Sequence, residues 1–600
     1  MNIEALHREY AAGTTTPAQI VEAIFARIAS EGVHPVWISL IPKEQVLQRA
    51  AALQNQDPTK LPLYGIPFAV KDNIDVANHP TTAGCPAYAF TPTESATVVA
   101  KLEAAGAILI GKTNMDQFAT GLVGTRSPYG APSSVFSKDH ISGGSSSGSA
   151  VAVASGLVAF SLGTDTAGSG RVPAMFNNLI GLKPSRGVLS THGVVPACRT
   201  LDCVSIFTQT AADAAAVLDV ASGPDPKDPY SRTPTPGAGA SPWAAASTFK
   251  FGVPAPSALQ FFGDTHNPAL YQAAITALKS LGGEPVEFDL APLLAAAQLL
   301  YKGPWVAERY AVISDFIQAH AAEMDPTVAK IINGAASYTA VDYFDSAYKL
   351  QHHLRQTEQA WKAFDLILLP TAPRTFTHAE IAESPIERNS QLGFYTNFVN
   401  LLDLSAVAVP AGMRPDGLPF GVTLIGKTLA EAALLPLADS LQRKLNQTLG
   451  GSKDLLAGTT PLKPATTPTG TLLMAVVGAH LTGQPLNWQL TDRGGKLVRT
   501  CRTHPDYKFY ALKNTTPPKP GLVRVPGFEG KGIEVEIWAL PSDTVGSFVD
   551  GVPQPLSIGK LRLEDGTLVM GFLVEPEATQ DAFEITNLGG WRNYLATLKK

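Results

Sequence analysis

The sequence predicts an α/β fold: a central mixed, largely parallel twisted sheet flanked by helices, followed by a small C-terminal α+β domain. Three observations point there. Short apolar runs that read as strands alternate with stretches of helical period. The alternation returns late in the chain. A stretch rich in Thr, Pro and Gly then separates it from a run of alternating apolar segments.

Taken in order, Thr16 is placed to cap a helix whose first turn holds Pro17. Ile20, Val21, Ile24, Phe25 and Ile28 give that helix one apolar stripe. YGIPFAV, ending at Val70, and AILI, from Ala107 to Ile110, read as strands on either side of a helical ATVVAKLEAAGA. LILLP (Leu366 to Pro370) and SAVAVPAG (Ser405 to Gly412) repeat the strand pattern, and LAEAALLPLADSLQRKLN closes the region as a helix. From Gly451 to Thr471 the chain offers little that packs and reads as a linker. Beyond it, TLLMAVVGAHL, KFYAL, GIEVEIWAL and TLVMGFLVEP alternate as strands do. The expected organisation is therefore a first domain over 1–450, a linker over 451–471 and a second domain over 472–600. No repeat of fixed period is visible.

A chain of 600 residues exceeds what one core supports. Hydrophobic residues at 45% and charged residues at 16% exclude a disordered chain, and a net charge of −5 offers no basic surface for nucleic acid. The four cysteines, Cys85, Cys198, Cys203 and Cys501, show neither a CxxC pair nor metal-ligand spacing. They read as reduced thiols of a cytoplasmic protein, with no metal expected. MNIEALHREYAAG lacks the apolar core of a signal peptide. The run from Val151 to Phe160 is too short to span a bilayer, so no membrane role is expected.

Three segments carry chemistry. Lys71 follows a strand in AVKDNI, HISGGSSSGSA runs from His140 to Ala150, and SLGTDTAGSGRVPA from Ser161 to Ala174. Singly they are ordinary: a solvated lysine, a flexible or anion-binding Ser/Gly loop, a turn with an aspartate. Together they offer the parts of acyl transfer. Ser169 sits in a turn of small residues with little to cover its hydroxyl. The amides of Thr166, Ala167, Gly168 and Ser169 are candidates to hold an oxyanion. Lys71 serves as a base if burial depresses its pKa, and the apolar strand before it makes burial plausible. Ser145 is the candidate relay between them.

These three motifs, in this order, resemble the amidase signature family, and the resemblance spans roughly residues 15 to 445. It implies that Lys71 is the base, Ser145 the bridging serine on a cis peptide and Ser169 the nucleophile. Asp165 and Arg171 would brace the loop, and no cofactor is implied. TAGSGRVPA and TNMDQFATGLVGTRSPYG (Thr113 to Gly130) look like the allophanate hydrolases within that family, which cleave urea-1-carboxylate to ammonia and carbon dioxide. In YKGPWVAERY, Tyr301 and Arg309 are eight apart, two helical turns on one face. The resemblance makes them, with Gly124, the residues that hold a small anionic substrate. VVGAHLTGQPLN, from Val476 to Asn487, resembles the second domain of those enzymes, similar to γ-glutamylcyclotransferase-like folds. That domain would process the N-carboxycarbamate product, with His480 and His504 as its titratable candidates. The resemblance further implies a homodimer and a functional link to a separate urea carboxylase.

Two patterns mislead. Gly106 to Thr113 fits GxxxxGK[ST], but a strand occupies the positions where a phosphate loop needs open amides. Gly144 to Gly148 fits GxSxG with Ser146 as nucleophile. That motif needs a strand before it, and FSKDHI is a poor one. It also needs a histidine in a distinctive setting, and none of the downstream histidines has one.

Overall fold

Apolar runs of the first region become the interior of one large sheet. The computed structural model describes residues 1–31, 35–232, 248–446, 448–452, 454–462 and 471–598. Those up to 462 fall in one compact unit and those from 471 in a second.

The first unit holds β1 (Trp37–Leu40), β2 (Pro67–Lys71), β3 (Ile108–Thr113), β4 (Ser133–Ser134), β5 (Ser137–Ile141), β6 (Phe160–Asp165) and β7 (Ile180–Lys183). It continues with β8 (Cys203–Thr208), β9 (Phe249–Pro254), β10 (Gly283–Phe288), β11 (Leu366–Pro370), β12 (Ser405–Met413) and β13 (Pro419–Gly426). All but β4 and β5 join in the order β1-β3-β2-β6-β8-β7-β12-β13-β11-β9-β10. Strands β2, β3, β6, β8 and β13 are buried at every residue, because helices cover both faces.

This pairing corrects the expectation of a largely parallel sheet. Only β2 beside β3 and β6, and β9 beside β10 and β11, run parallel. The other neighbours are antiparallel, since β12 and β13 form a hairpin and no helix links β7 to β8, where parallel pairing needs a crossover. A second correction concerns FSKDHI. Residues Ser137–Ile141 do form a strand, but it pairs with β4 in a two-stranded ribbon outside the main sheet, with one further bridge from His140 to Thr377.

Thr16 caps the helix Pro17–Glu31, its Oγ1 accepting from Gln19 N, and Val21 and Ile24 are buried. Of the segment read as a linker, the described residues up to 462 lie along the first unit. Leu456 is buried, and Arg443 donates to the carbonyls of Leu456 and Thr459. Residues 463–470 lie outside the described residues.

In the second unit β14 (Thr471–Val476), β15 (Lys496–Arg502), β16 (Tyr507–Ala511), β17 (Pro520–Arg524), β18 (Glu534–Pro541), β19 (Leu556–Arg562), β20 (Leu568–Val574) and β21 (Phe583–Glu584) follow one another. They make a five-stranded sheet, β15-β18-β14-β20-β19, and a three-stranded one, β17-β16-β21. The helices Ser542–Asp550 and Trp591–Thr597 complete an α+β unit with its own apolar core. Among the described residues no helix is long and apolar enough to cross a membrane.

Candidate active site

Lys71 is the last residue of β2 rather than the first of a loop, and Thr164 lies near the end of β6, the strand that pairs with β2 in parallel. Carboxyl ends of parallel strands are where α/β sheets open a crevice. Lys71 is fully buried, and its Nζ lies 2.7 Å from Ser145 Oγ and 2.7 Å from Thr164 Oγ1. Burial lowers its pKa to about 7, while Asp116, Asp202 and Asp165 pull the other way. A neutral amine is therefore accessible near neutral pH, which a base requires.

The Gly144–Ser145 peptide is cis, and the helix Ser147–Ala154 begins just beyond it. That helix is buried throughout, and its run of Ser, Gly, Ala and Val suits close packing against β2, β3, β6 and β8. Asp116 binds this region from two sides. Its amide donates to Ser145 O, and its carboxylate accepts from the amides of Val123, Gly124 and Arg126. The loop so held presents Gly121 O, to which Ser169 Oγ donates at 3.5 Å. Ser145 Oγ and Ser169 Oγ are not hydrogen-bonded to each other.

Asp165 and Arg171 form a buried bidentate pair, Nε to Oδ2 at 2.9 Å and Nη2 to Oδ1 at 3.0 Å. Burial pushes the Asp165 carboxyl up, but the guanidinium and the Gly170 amide hold it below its usual value. Arg171 also reaches Thr396 O and Asn400 Oδ1. Removing one partner of such a pair strands a buried charge. Arg171→Met should lower the unfolding free energy by about 3–5 kcal/mol, measured by urea denaturation; a change within experimental error would remove the bracing role.

Among the four amides expected to hold an oxyanion, one is already taken: Gly168 N donates to Asp165 Oδ1 at 2.9 Å. Those of Thr166, Ala167 and Ser169 find no acceptor among the described residues. Thr166 Oγ1 donates to Asp202, a buried carboxyl that desolvation raises to about 6 and that also accepts from the Ala197 and Cys198 amides.

Tyr301 and Arg309 are not on one helix. Gly303 and Pro304 separate the helix Ala291–Tyr301 from Trp305–His320. The two side chains nevertheless meet, with Arg309 Cζ 5.9 Å from the centre of the Tyr301 ring. Arg309 is buried, and its Nη1 donates to Thr120 Oγ1 at 2.9 Å and Ala119 O at 3.1 Å, in the loop that leads to Gly121. Its Nε and Nη2 have no hydrogen-bond partner, and among the described residues it makes no ion pair. Gly124 adopts φ +75°, and a Cβ there would lie 2.5 Å from Gly143 O. Its amide is spent on Asp116, so its part in the site is close approach of backbone.

Both misleading patterns dissolve. Lys112 is buried in β3, its Nζ 2.6 Å from Thr81 Oγ1 and 3.5 Å from Asp72. Ser146 Oγ is occupied by the backbone of Thr164, donating to its carbonyl and accepting from its amide.

A profile of the amidase family matches residues 19–435. The chain belongs to the amidase family. A second profile, the allophanate hydrolase C-terminal domain, matches residues 472–596. The chain is similar to urea amidolyase from Saccharomyces cerevisiae, 45% identical over 597 residues, 95% of this chain and 32% of that protein. A crystal structure of Kluyveromyces lactis allophanate hydrolase is 42% identical with a TM-score of 0.77, covering 100% of this chain and 99% of that one. A glutamyl-tRNA(Gln) amidotransferase subunit from Chloroflexus aggregans is 32% identical over 479 residues, 74% of this chain and 96% of that protein. The chain thus spans about a third of the length of the urea amidolyases it matches.

In this amidase the second unit carries a cavity of about 190 Å³ lined by His480. Burial lowers the His480 pKa, its Nε2 meets Gln489 Oε1 at 2.9 Å, and its ring stacks on Phe572. His504 does not line that cavity. It pairs with Asp506 at 2.7 Å, which Arg524 also holds. The two candidate histidines therefore serve different surroundings. Among the described residues no cluster of His, Cys, Asp or Glu is placed to hold a metal.

Of the groups that shape the site, Thr164, Asp116 and Asp202 carry no signal of their own in the sequence. Thr164 stands within the GTD motif, but only the folded structure brings it to Lys71. Asp116 and Asp202 act through loop amides and leave no local pattern.

Proposed function

We propose that the chain hydrolyses allophanate, the substrate entering as an anion beside Arg309. The observation that carries this reading is the buried Arg309 guanidinium, with two nitrogens lacking a hydrogen-bond partner and no ion pair among the described residues. A buried cation with spare donors matches a small carboxylate far better than an apolar amide.

In this reading Ser169 Oγ attacks the terminal carbonyl carbon, and its proton passes through Ser145 to Lys71. The free amides of Ala167 and Ser169, with that of Thr166, take the oxyanion. The proton returns by the same relay to the terminal nitrogen, the C–N bond breaks and ammonia leaves. Water, deprotonated through Ser145 and Lys71, then cleaves the acyl-enzyme and yields N-carboxycarbamate. The second unit processes that product around His480: the C–N bond breaks with its electron pair left on nitrogen, which gains a proton. Carbon dioxide and carbamate result, and carbamate decays to ammonia and carbon dioxide. We also take the chain to be a cytoplasmic homodimer served by a separate urea carboxylase. Similarity to proteins named urea amidolyase and allophanate hydrolase supports the substrate and that link.

The test is ammonia release by the purified chain from allophanate and, in parallel, from a neutral amide. Arg309→Ala should raise KM for allophanate about a hundredfold, as lost hydrogen bonds to a charged group imply, and leave the neutral amide nearly unchanged. Equal losses on both substrates would take Arg309 out of the carboxylate role. Turnover of the neutral amide alone would select the second reading, an amidase for other small amides. The match of the first unit to most of an amidotransferase component favours that alternative.

A further inference from the structure

The cavity of the second unit has an electrostatic feature that its histidine does not explain. No carboxylate lines it, and its polar side chains are His480, Gln489, Thr516 and Lys519, set among apolar groups such as Val552 and Phe572. Lys519 is the one lysine or arginine lining it among the described residues, and burial lowers the His480 pKa, with the charge of Lys519 acting the same way. The Lys519 backbone is fixed on both sides of the β16–β17 turn. Its amide donates to Thr515 Oγ1 at 2.9 Å, and its carbonyl accepts from Leu512 N at 3.1 Å. Its ammonium is in none of the ion pairs of the described residues of this unit. A half-buried, unpaired lysine on a fixed backbone, lining a mostly apolar cavity, is a site for a small anion.

We propose that Lys519 is the anchoring cation of this cavity, holding one carboxylate of a small dicarboxylate whose other end lies against His480 and Phe572. The inference rests on the functional reading above and deepens it. N-carboxycarbamate carries two carboxylates, and allophanate and carbamate carry one each. An ammonium that holds the carboxylate that stays leaves the departing one against apolar groups, where discharge to carbon dioxide is favoured. Carbamate, once formed, has lost half the charge that held its precursor. The site therefore selects the dianion and releases its product.

The full-length chain with ¹³C-labelled allophanate tests this, by following allophanate and carbon dioxide separately. Lys519→Met should consume allophanate at the parental rate yet release carbon dioxide from N-carboxycarbamate about tenfold more slowly. Lys519→Arg, which keeps the charge, should restore most of that rate. Carbon dioxide release that keeps pace in Lys519→Met would overturn the assignment. Malonate, in which CH₂ replaces NH, gives a readout independent of turnover. Calorimetric titration of the intact chain should show malonate binding that Lys519→Met weakens about tenfold and Lys519→Arg retains. An unchanged titration would equally overturn it. A parent chain inert towards allophanate would instead sink the functional reading, and the malonate titration would still judge Lys519.

Discussion

Ser169→Ala should leave a folded protein whose turnover of allophanate falls by about 10⁴- to 10⁶-fold, the range seen when a serine nucleophile is removed. The loss should appear in kcat with KM little changed, because Arg309 and the loop at 118–121, the proposed substrate contacts, remain in place. The fold should not suffer. The Ser169 hydroxyl makes one long hydrogen bond, to Gly121 O at 3.5 Å, and the loop around it is held by the Asp165–Arg171 pair. Loss of so weak a bond changes stability by about 0.5–1.5 kcal/mol at most. Steady-state kinetics and a thermal melt on the same sample separate the two effects. Turnover within tenfold of the parent would exclude Ser169 as nucleophile, whatever the substrate.

Much of this site is readable because its chemistry lies in contiguous motifs. GTDTAGSGR holds the proposed nucleophile, the free amides and both partners of the Asp165–Arg171 pair within nine residues, so local spacing suffices. Small residues mark where backbone must approach backbone, as Gly124 does against Gly143. What escapes such reading depends on contacts distant in sequence. The Thr164–Lys71 contact joins side chains 93 residues apart, on strands that only the folded sheet makes neighbours. The order of the large sheet has the same origin, and so does the misjudged share of parallel strands. Apolar runs announce strands, but direction is set by connections whose geometry they do not encode. The single helix expected to carry Tyr301 and Arg309 fails for the opposite reason. A spacing of eight suggests one helix, and the Gly303–Pro304 step that divides it overrides that spacing. Leu456 and its neighbours read as linker because Thr, Pro and Gly dominate there. Their anchor, Arg443, belongs to the preceding helix and is not visible from within the segment.

Lys71→Met should abolish turnover almost as fully as loss of the nucleophile, and its pH behaviour identifies the role. With the pKa lowered to about 7 by burial, Lys71 in the parent chain should give kcat an acidic limb near pH 7, with activity rising as the amine loses its proton. A limb absent from the parent would exclude Lys71 as the base. Stability carries the same signature with a definite sign. The unfolded chain binds a proton at Lys71 up to about pH 10.5 and the folded chain only up to about 7, so the folded state is penalised below 7. Between 7 and 10.5 the unfolded state holds the extra proton, and parent stability rises with pH. At 1.4 kcal/mol per unit the full penalty is on the order of 5 kcal/mol. Lys71→Met also deprives Ser145 and Thr164 of a donor, but that loss does not vary over this range. The difference in Tm between variant and parent should therefore move steadily in favour of the parent as pH rises from 7 towards 10. A difference independent of pH would mean that Lys71 is not buried as an uncharged base. The burial that makes this lysine reactive near neutrality is thus the same burial that weakens the fold, and one titration reads both.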